Sequence, residues 1–351
     1  MINNSLYLSI RYVLSLHKFS KSIPDYISVT DSSYTGLDSQ QYPVRNFKGK
    51  RNLNRTVILY PGASPTAERH PAFQFLGAAL ANVGFNVFIP RIPPLKKLDV
   101  SESNVEWFQN AYKQLTSHED IQGTSVTCIA VSFGGAILMK CLSDGFMRDN
   151  EPRCILTYGT MYDVETSLSY MMKAESNING KIVKFKPHEW AMVVCFHNFL
   201  PSVDVGYSTE FIQKILSLRV KDMDYKNELK QLEGDHLKLA EDVLSSTFSP
   251  EVMRILHIIM DKKKTELDAI SPKLWASKIN SKVFIMHGAA DNMVPYNQAK
   301  LLAQNIKNSE YFISYLYEHN EISDKTSSMH KVKEMIRLIK FFNRFIKHHE
   351  N

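Results

Sequence analysis

From residue 42 onward, short apolar runs alternate with longer stretches of helical period. The runs 42–48, 56–60, 85–89, 125–131 and 153–158 read as strands. The second closes on Pro61-Gly62 and the third on Pro90, as expected of buried strands stopped by turns. Between them lie helical patterns at 71–83, where Phe73, Leu76, Leu80 and Val83 share a side, at 103–115 and at 133–143. Such alternation predicts an α/β protein with a mostly parallel central sheet flanked by helices. The rhythm breaks over 165–269, where helical patterns at 210–218, 225–244 and 250–260 dominate and no buried strand is predicted. It resumes with a strand at 282–287, a helix at 297–308, a strand at 311–317 and a closing helix at 327–346. The resulting division is an N-terminal extension (1–40), a core (41–164 and 270–351) and an inserted helical segment (165–269). Within the extension, Leu6, Ile10, Val13 and Leu14 follow helical spacing and predict a docked amphipathic helix, followed by a polar, turn-rich stretch over 28–41.

Composition adds little to the class but narrows the partners. Apolar residues make up 44% and charged residues 22% of the chain, an ordinary globular balance. The net charge of +6 is dispersed; its densest runs, Lys262-Lys263-Lys264 and the stretch around Arg344, Lys347, His348 and His349, read as solvated helix faces, and the twin histidines as part of a polar, disordered tail rather than a metal site. No basic stripe interleaved with aromatics points to nucleic acid. The apolar stretch 6–16 is broken by Arg11, is too short to span a bilayer and makes a poor signal peptide. Cys128, Cys141, Cys154 and Cys195 lie in apolar stretches without a CxxC pair, so they read as small buried hydrophobes in a reducing, cytoplasmic setting. The sequence leaves the oligomeric state open.

The chemistry is carried by Ala130-Val131-Ser132-Phe133-Gly134-Gly135. A serine hydroxyl is a weak nucleophile that needs a base within hydrogen-bond reach and donors for the developing oxyanion. A sharp strand-to-helix turn presents the hydroxyl but crowds its neighbours, so the positions two before and two after must be small. Here they are Ala130 and Gly134. A second segment, Met286-His287-Gly288-Ala289-Ala290-Asp291-Asn292-Met293-Val294-Pro295, follows the strand at 282–287.

Together these segments resemble the α/β-hydrolase superfamily, in its serine esterase and lipase-like branch with a helical cap. The first is similar to that family's GxSxG elbow, with alanine for the first glycine, and the second to its HGxxDxxVP segment. The resemblance covers about 40–164 and 270–346 and implies an α/β-hydrolase fold in which 165–269 forms the cap. It implies Ser132 as nucleophile, Asp291 as the acid that orients the base, and a base just beyond the last strand. His319 stands there, 28 positions beyond Asp291, although Glu318 replaces the family's usual glycine before it. The alternative base is His330, within the closing helix. The oxyanion hole would use the amides of Phe133 and Ala63, the latter in the turn after the strand 56–60, where Pro61-Gly62 stands in place of His-Gly. His287 reads as a packed structural residue, and Asp163, after the strand 153–158, as a turn or cap residue rather than a second acid.

The activity this implies is carboxylic ester hydrolysis through an acyl-enzyme, on a small-molecule ester or acyl substrate and with no cofactor or metal. An acyltransferase, a thioesterase or a silent binding domain share the same constellation. His188, Glu189, Trp190 and His197 in the insertion read as a packing layer or a pocket wall. No second histidine follows His188-Glu189 at HExxH spacing, and neither a GxxxxGK[ST] loop nor a GxGxxG after a strand occurs.

Overall fold

The computed structural model describes residues 4–178, 181–315 and 328–349. Eight strands form one sheet: β1 (Ser28–Thr35), β2 (Gln41–Lys48), β3 (Arg55–Tyr60), β4 (Phe85–Pro90), β5 (Ser125–Val131), β6 (Cys154–Tyr158), β9 (Val283–Gly288) and β10 (Ser309–Ser314). Their order is β1-β2-β4-β3-β5-β6-β9-β10. From β4 to β10 every neighbouring pair is parallel, whereas β1 and β2 are antiparallel to their neighbours. The alternation of side chains across the pleat explains two cores: Val57 and Leu59 face one layer, Ile58 and Tyr60 the other. On the first face pack the helices Asn4–Phe19, Pro71–Asn82 and Ser328–Lys347; on the second, Asn104–Thr116, Phe133–Ser143 and Asn297–Asn305.

Two expectations for the N-terminal region change. The polar stretch after residue 28 is β1, whose pattern is exposed except near its end because it is an edge strand, paired on one side alone. It therefore extends the sheet into the segment read as an extension. The N-terminal helix does dock and buries Val13 as expected, but its buried face is turned away from Leu14. Ser5, Leu8, Ser9, Tyr12, Val13, Ser15 and Phe19 are buried, while Leu14 is 61% exposed. Small serines let the helix approach its neighbours closely, and Ser9 and Ser15 satisfy their hydroxyls on backbone carbonyls four residues earlier.

The insertion carries its own apolar cluster, built around Met192, Phe196, Ile212, Leu216, Ile255 and Leu256. It is mainly helical, with helices Val164–Lys173, Glu189–Phe199, Glu210–Val220, Gly234–Ser245 and Pro250–Lys262. It also contains a hairpin, β7 (Glu175–Ile178) with β8 (Lys181–Lys184), that the hydrophobic pattern did not reveal because Ile182 and Val183 are exposed. The helix expected over 225–244 is broken before Gly234, whose φ of +54° suits glycine.

The twin histidines His348 and His349 do not lie in a polar, disordered tail. Arg344 pairs with Glu310, and His349 is buried against Phe85 and Phe345, its Nδ1 hydrogen-bonded to the Phe345 carbonyl and its Nε2 to the Thr127 hydroxyl. Burial, reinforced by Arg55, His348 and Arg153, lowers its pKa from 6.5 to about 4. Since the folded pKa lies below the unfolded one, the associated stability is full above pH 6.5 and is lost as pH falls toward about 4. The loss amounts to about 3 kcal/mol at about 1.4 kcal/mol per pH unit. Urea unfolding between pH 7 and 4 is expected to show this slope in the wild type and to lose it in His349→Gln.

Candidate active site

Ser132 is the residue at which β5 turns into the helix Phe133–Ser143. Its φ of 55° and ψ of −131° place a non-glycine residue in a region that costs on the order of 1–3 kcal/mol. The surroundings hold it there. Its amide donates to the Tyr158 carbonyl of β6 (2.7 Å), and its carbonyl accepts from the Gly135 amide (2.9 Å) and the Thr160 hydroxyl (3.1 Å). The need for small neighbours is literal. A Cβ on Gly134 would lie 2.2 Å from the Pro61 carbonyl oxygen, and one on Gly135 2.0 Å from the Thr160 hydroxyl. A Cβ on Gly62 would come within 3.3 Å of the Ser132 Cβ, so the turn after β3 lies directly against the elbow.

That contact brings the two expected oxyanion donors to one place. Phe133 is the first residue of its helix, so its amide has no partner within the helix, and the helix dipole adds positive potential beside Ser132. Ala63 follows Gly62, and Gly62, Ala63, Ser132 and Phe133 line the same cavity. Glu68, buried and paired with Arg91, and His70, whose Nδ1 caps the next helix at the Ala72 amide, fasten the rest of this loop.

Asp291 lies in the turn after β9, 2% exposed. Its Oδ1 accepts from the amides of Met293 (2.8 Å) and Val294 (2.9 Å), and its Oδ2 lies 3.2 Å from Nε2 of the fully buried His287. That same Nε2 lies 2.9 Å from the Val294 carbonyl, which identifies it as the protonated nitrogen. Tyr170 of the insertion donates to the Asp291 carbonyl at 2.8 Å. The carboxylate is thus fixed by its own turn and by His287. With β6 between β5 and β9, Ser132 and Asp291 sit at one edge of the sheet, their strands roughly 10 Å apart at about 4.8 Å per strand. This edge, beyond the carboxyl ends of parallel strands, is where open α/β sheets bind ligands.

His319 lies outside the described residues. His330 falls in the first turn of the C-terminal helix, and its side chain is likewise outside what is described. Asp163 caps the helix Val164–Lys173 through the Thr166 amide and pairs with Lys273 at 2.9 Å. Of the group in the insertion, His188 and Trp190 line the cavity. Glu189 instead pairs with Arg219, which stacks over the Trp190 ring at 4.3 Å.

Sequence reasoning did not assign Thr160 and Tyr170, which reach the elbow and the acid turn from other elements. It named His287 but missed its pairing with Asp291, a relation the i, i+4 spacing within one motif already offered. The cavity at Ser132 measures about 710 Å³, inside the usual range for small-molecule sites, and is lined mainly by aliphatic and aromatic side chains. The four cysteines are all buried, and burial pushes their thiols up, away from nucleophilic character.

No protein-family model matches the chain, and no curated protein matches it in sequence. Solved structures match it in fold. An acylaminoacyl peptidase in complex with a chloromethyl ketone aligns over 91% of this chain and 42% of its own, with a TM-score of 0.53 and 11% identity. The acylaminoacyl peptidase of Pyrococcus horikoshii aligns over 93% and 43%, with a TM-score of 0.53 and 12% identity. A puromycin hydrolase mutant complexed with PGG aligns over 92% and 39%, with a TM-score of 0.52 and 10% identity. The chain therefore spans less than half the length of these proteins, and the likeness is one of fold: it has the α/β-hydrolase fold.

Proposed function

We propose that this chain is a serine hydrolase that cleaves carboxylic esters. The observation that carries this reading is the strained Ser132 at the head of a helix, opening into an apolar cavity of about 710 Å³, with buried Asp291 at the same sheet edge. The names of the structural neighbours, peptidase and hydrolase, agree with acyl-transfer chemistry to water. Ser132 Oγ attacks the acyl carbonyl while His319 takes its proton. The resulting oxyanion is held by the amides of Phe133 and Ala63. Collapse breaks the acyl C–O bond, and His319 passes the proton to the departing alcohol. Water, deprotonated by His319, then attacks the acyl-enzyme, releasing the carboxylic acid and returning the proton to Ser132. Asp291 holds His319 in the required tautomer and stabilises its charged form.

Residues 165–269 act in this reading as a cap, since their Met171, His188, Trp190 and Val194 share the cavity with Ser132. No step calls for a cofactor or a metal. The base is tested by paired substitution. His319→Ala is expected to lower kcat on p-nitrophenyl acetate by about 10⁴-fold and His330→Ala by no more than about twofold. The reverse pattern would move the base to His330.

A further inference from the structure

The residues that line the cavity with Ser132 fall into two groups, one from the insertion and one from the sheet face covered by the N-terminal helix, and define two arms. One lies under the insertion and carries polar groups, Ser167, His188 and Trp190. The other descends between the sheet and the helical layer of the N-terminal helix. Ile129 of β5, Leu156 of β6 and Met286 of β9 form one wall, and Leu16, Leu80 and Phe345 face them. We infer that this lower arm receives the straight aliphatic chain of a long-chain acyl ester, the alcohol lying under the insertion. The inference rests on the hydrolase reading above and names its substrate class.

The register gives the arm its shape. Ile129 stands opposite Leu156, and Tyr158 opposite Met286, so it crosses three neighbouring strands, roughly 10 Å, and descends three residues, roughly 10 Å, from Ser132 to Ile129. Facing layers of a protein core normally interdigitate and leave few voids larger than a water molecule. Here the N-terminal helix packs Leu8, Tyr12 and Val13 into the apolar layer along part of its length, and polar contacts also tie it to the helix Pro71–Asn82. Arg11 donates to the Asn82 side-chain oxygen (2.6 Å), and the Asn82 amide to the Ser15 hydroxyl (2.7 Å). The arm's lining is mainly hydrocarbon, its polar groups being the hydroxyls of Tyr12 and Tyr158, an exposed Ser20 and, at the head of the helix Pro71–Asn82, the His70 ring, whose Nδ1 is engaged with the Ala72 amide. A polar acyl group would lose its hydration there without recompense, whereas every methylene gains.

The test is a series of p-nitrophenyl esters from acetyl to palmitoyl, with the full chain. kcat/KM is expected to rise about fourfold per added methylene until the arm is full and then level off. Leu16→Trp and Leu76→Trp, which fill the arm from two different helices, are expected to flatten the series beyond butyryl, with thermal unfolding confirming that each variant is folded. Val194→Trp, in the other arm, should preserve the slope. A flat wild-type series overturns the inference. So does a series flattened by Val194→Trp and untouched by the other two, or a steep dependence on alcohol length in alkyl acetates with none on acyl length. A wild type that turns over no ester, acetate included, instead overturns the hydrolase reading itself.

Discussion

Ser132→Ala is expected to lower kcat/KM for short p-nitrophenyl esters by about 10⁴- to 10⁶-fold while leaving the fold intact. The substitution removes only Oγ. The backbone bonds that define the elbow, from the Ser132 amide to Tyr158 and from Gly135 and Thr160 to the Ser132 carbonyl, do not involve the hydroxyl. Ser132→Gly separates chemistry from strain. It should be as inactive as alanine yet more stable by about 1 kcal/mol, because glycine accepts a φ of 55° without the steric cost. An active Ser132→Ala enzyme would mean that another nucleophile is at work.

Asp291→Asn is expected to lower kcat by about 10⁴-fold with little change in KM, because the amide cannot fix the basic tautomer of the histidine or stabilise its cation. The fold should survive, since the asparagine oxygen can still accept from the Met293 and Val294 amides. Asp291→Ala leaves those two amides without their acceptor and adds a stability loss of about 1–3 kcal/mol for each one stranded in the buried turn. Steady-state kinetics with thermal unfolding on both variants distinguishes the two roles of the carboxylate. Activity of Asp291→Asn within tenfold of wild type would show that the acid lies elsewhere.

The sheet was legible where burial leaves a periodic trace. The runs 56–60 and 125–131 sit in the middle of the sheet, and their apolar character follows from being covered on both faces. The edge strand β1 and the hairpin β7–β8 left no such trace, because exposed strands tolerate polar residues and exposed apolar ones alike. The elbow was legible because its steric demands fall on residues adjacent in sequence, Ala130, Gly134 and Gly135. Its other supports were not. Thr160 and Tyr170 reach the site from the turn after β6 and from the insertion, and a hydroxyl in a sequence carries no mark of the carbonyl it meets. The burial of His349 was hidden for the same reason: its partner Thr127 lies 222 positions away on a central strand. The cavity's lower arm arises from which faces of three helices and three strands meet, and no local pattern encodes that.

The most direct test of the account is the site of covalent capture by a fluorophosphonate. The wild-type chain is expected to gain one adduct mass, with peptide mapping placing it on Ser132, and Ser132→Ala to gain none. An unlabelled wild type, or an adduct on any other residue, would contradict the assignment of Ser132 as nucleophile.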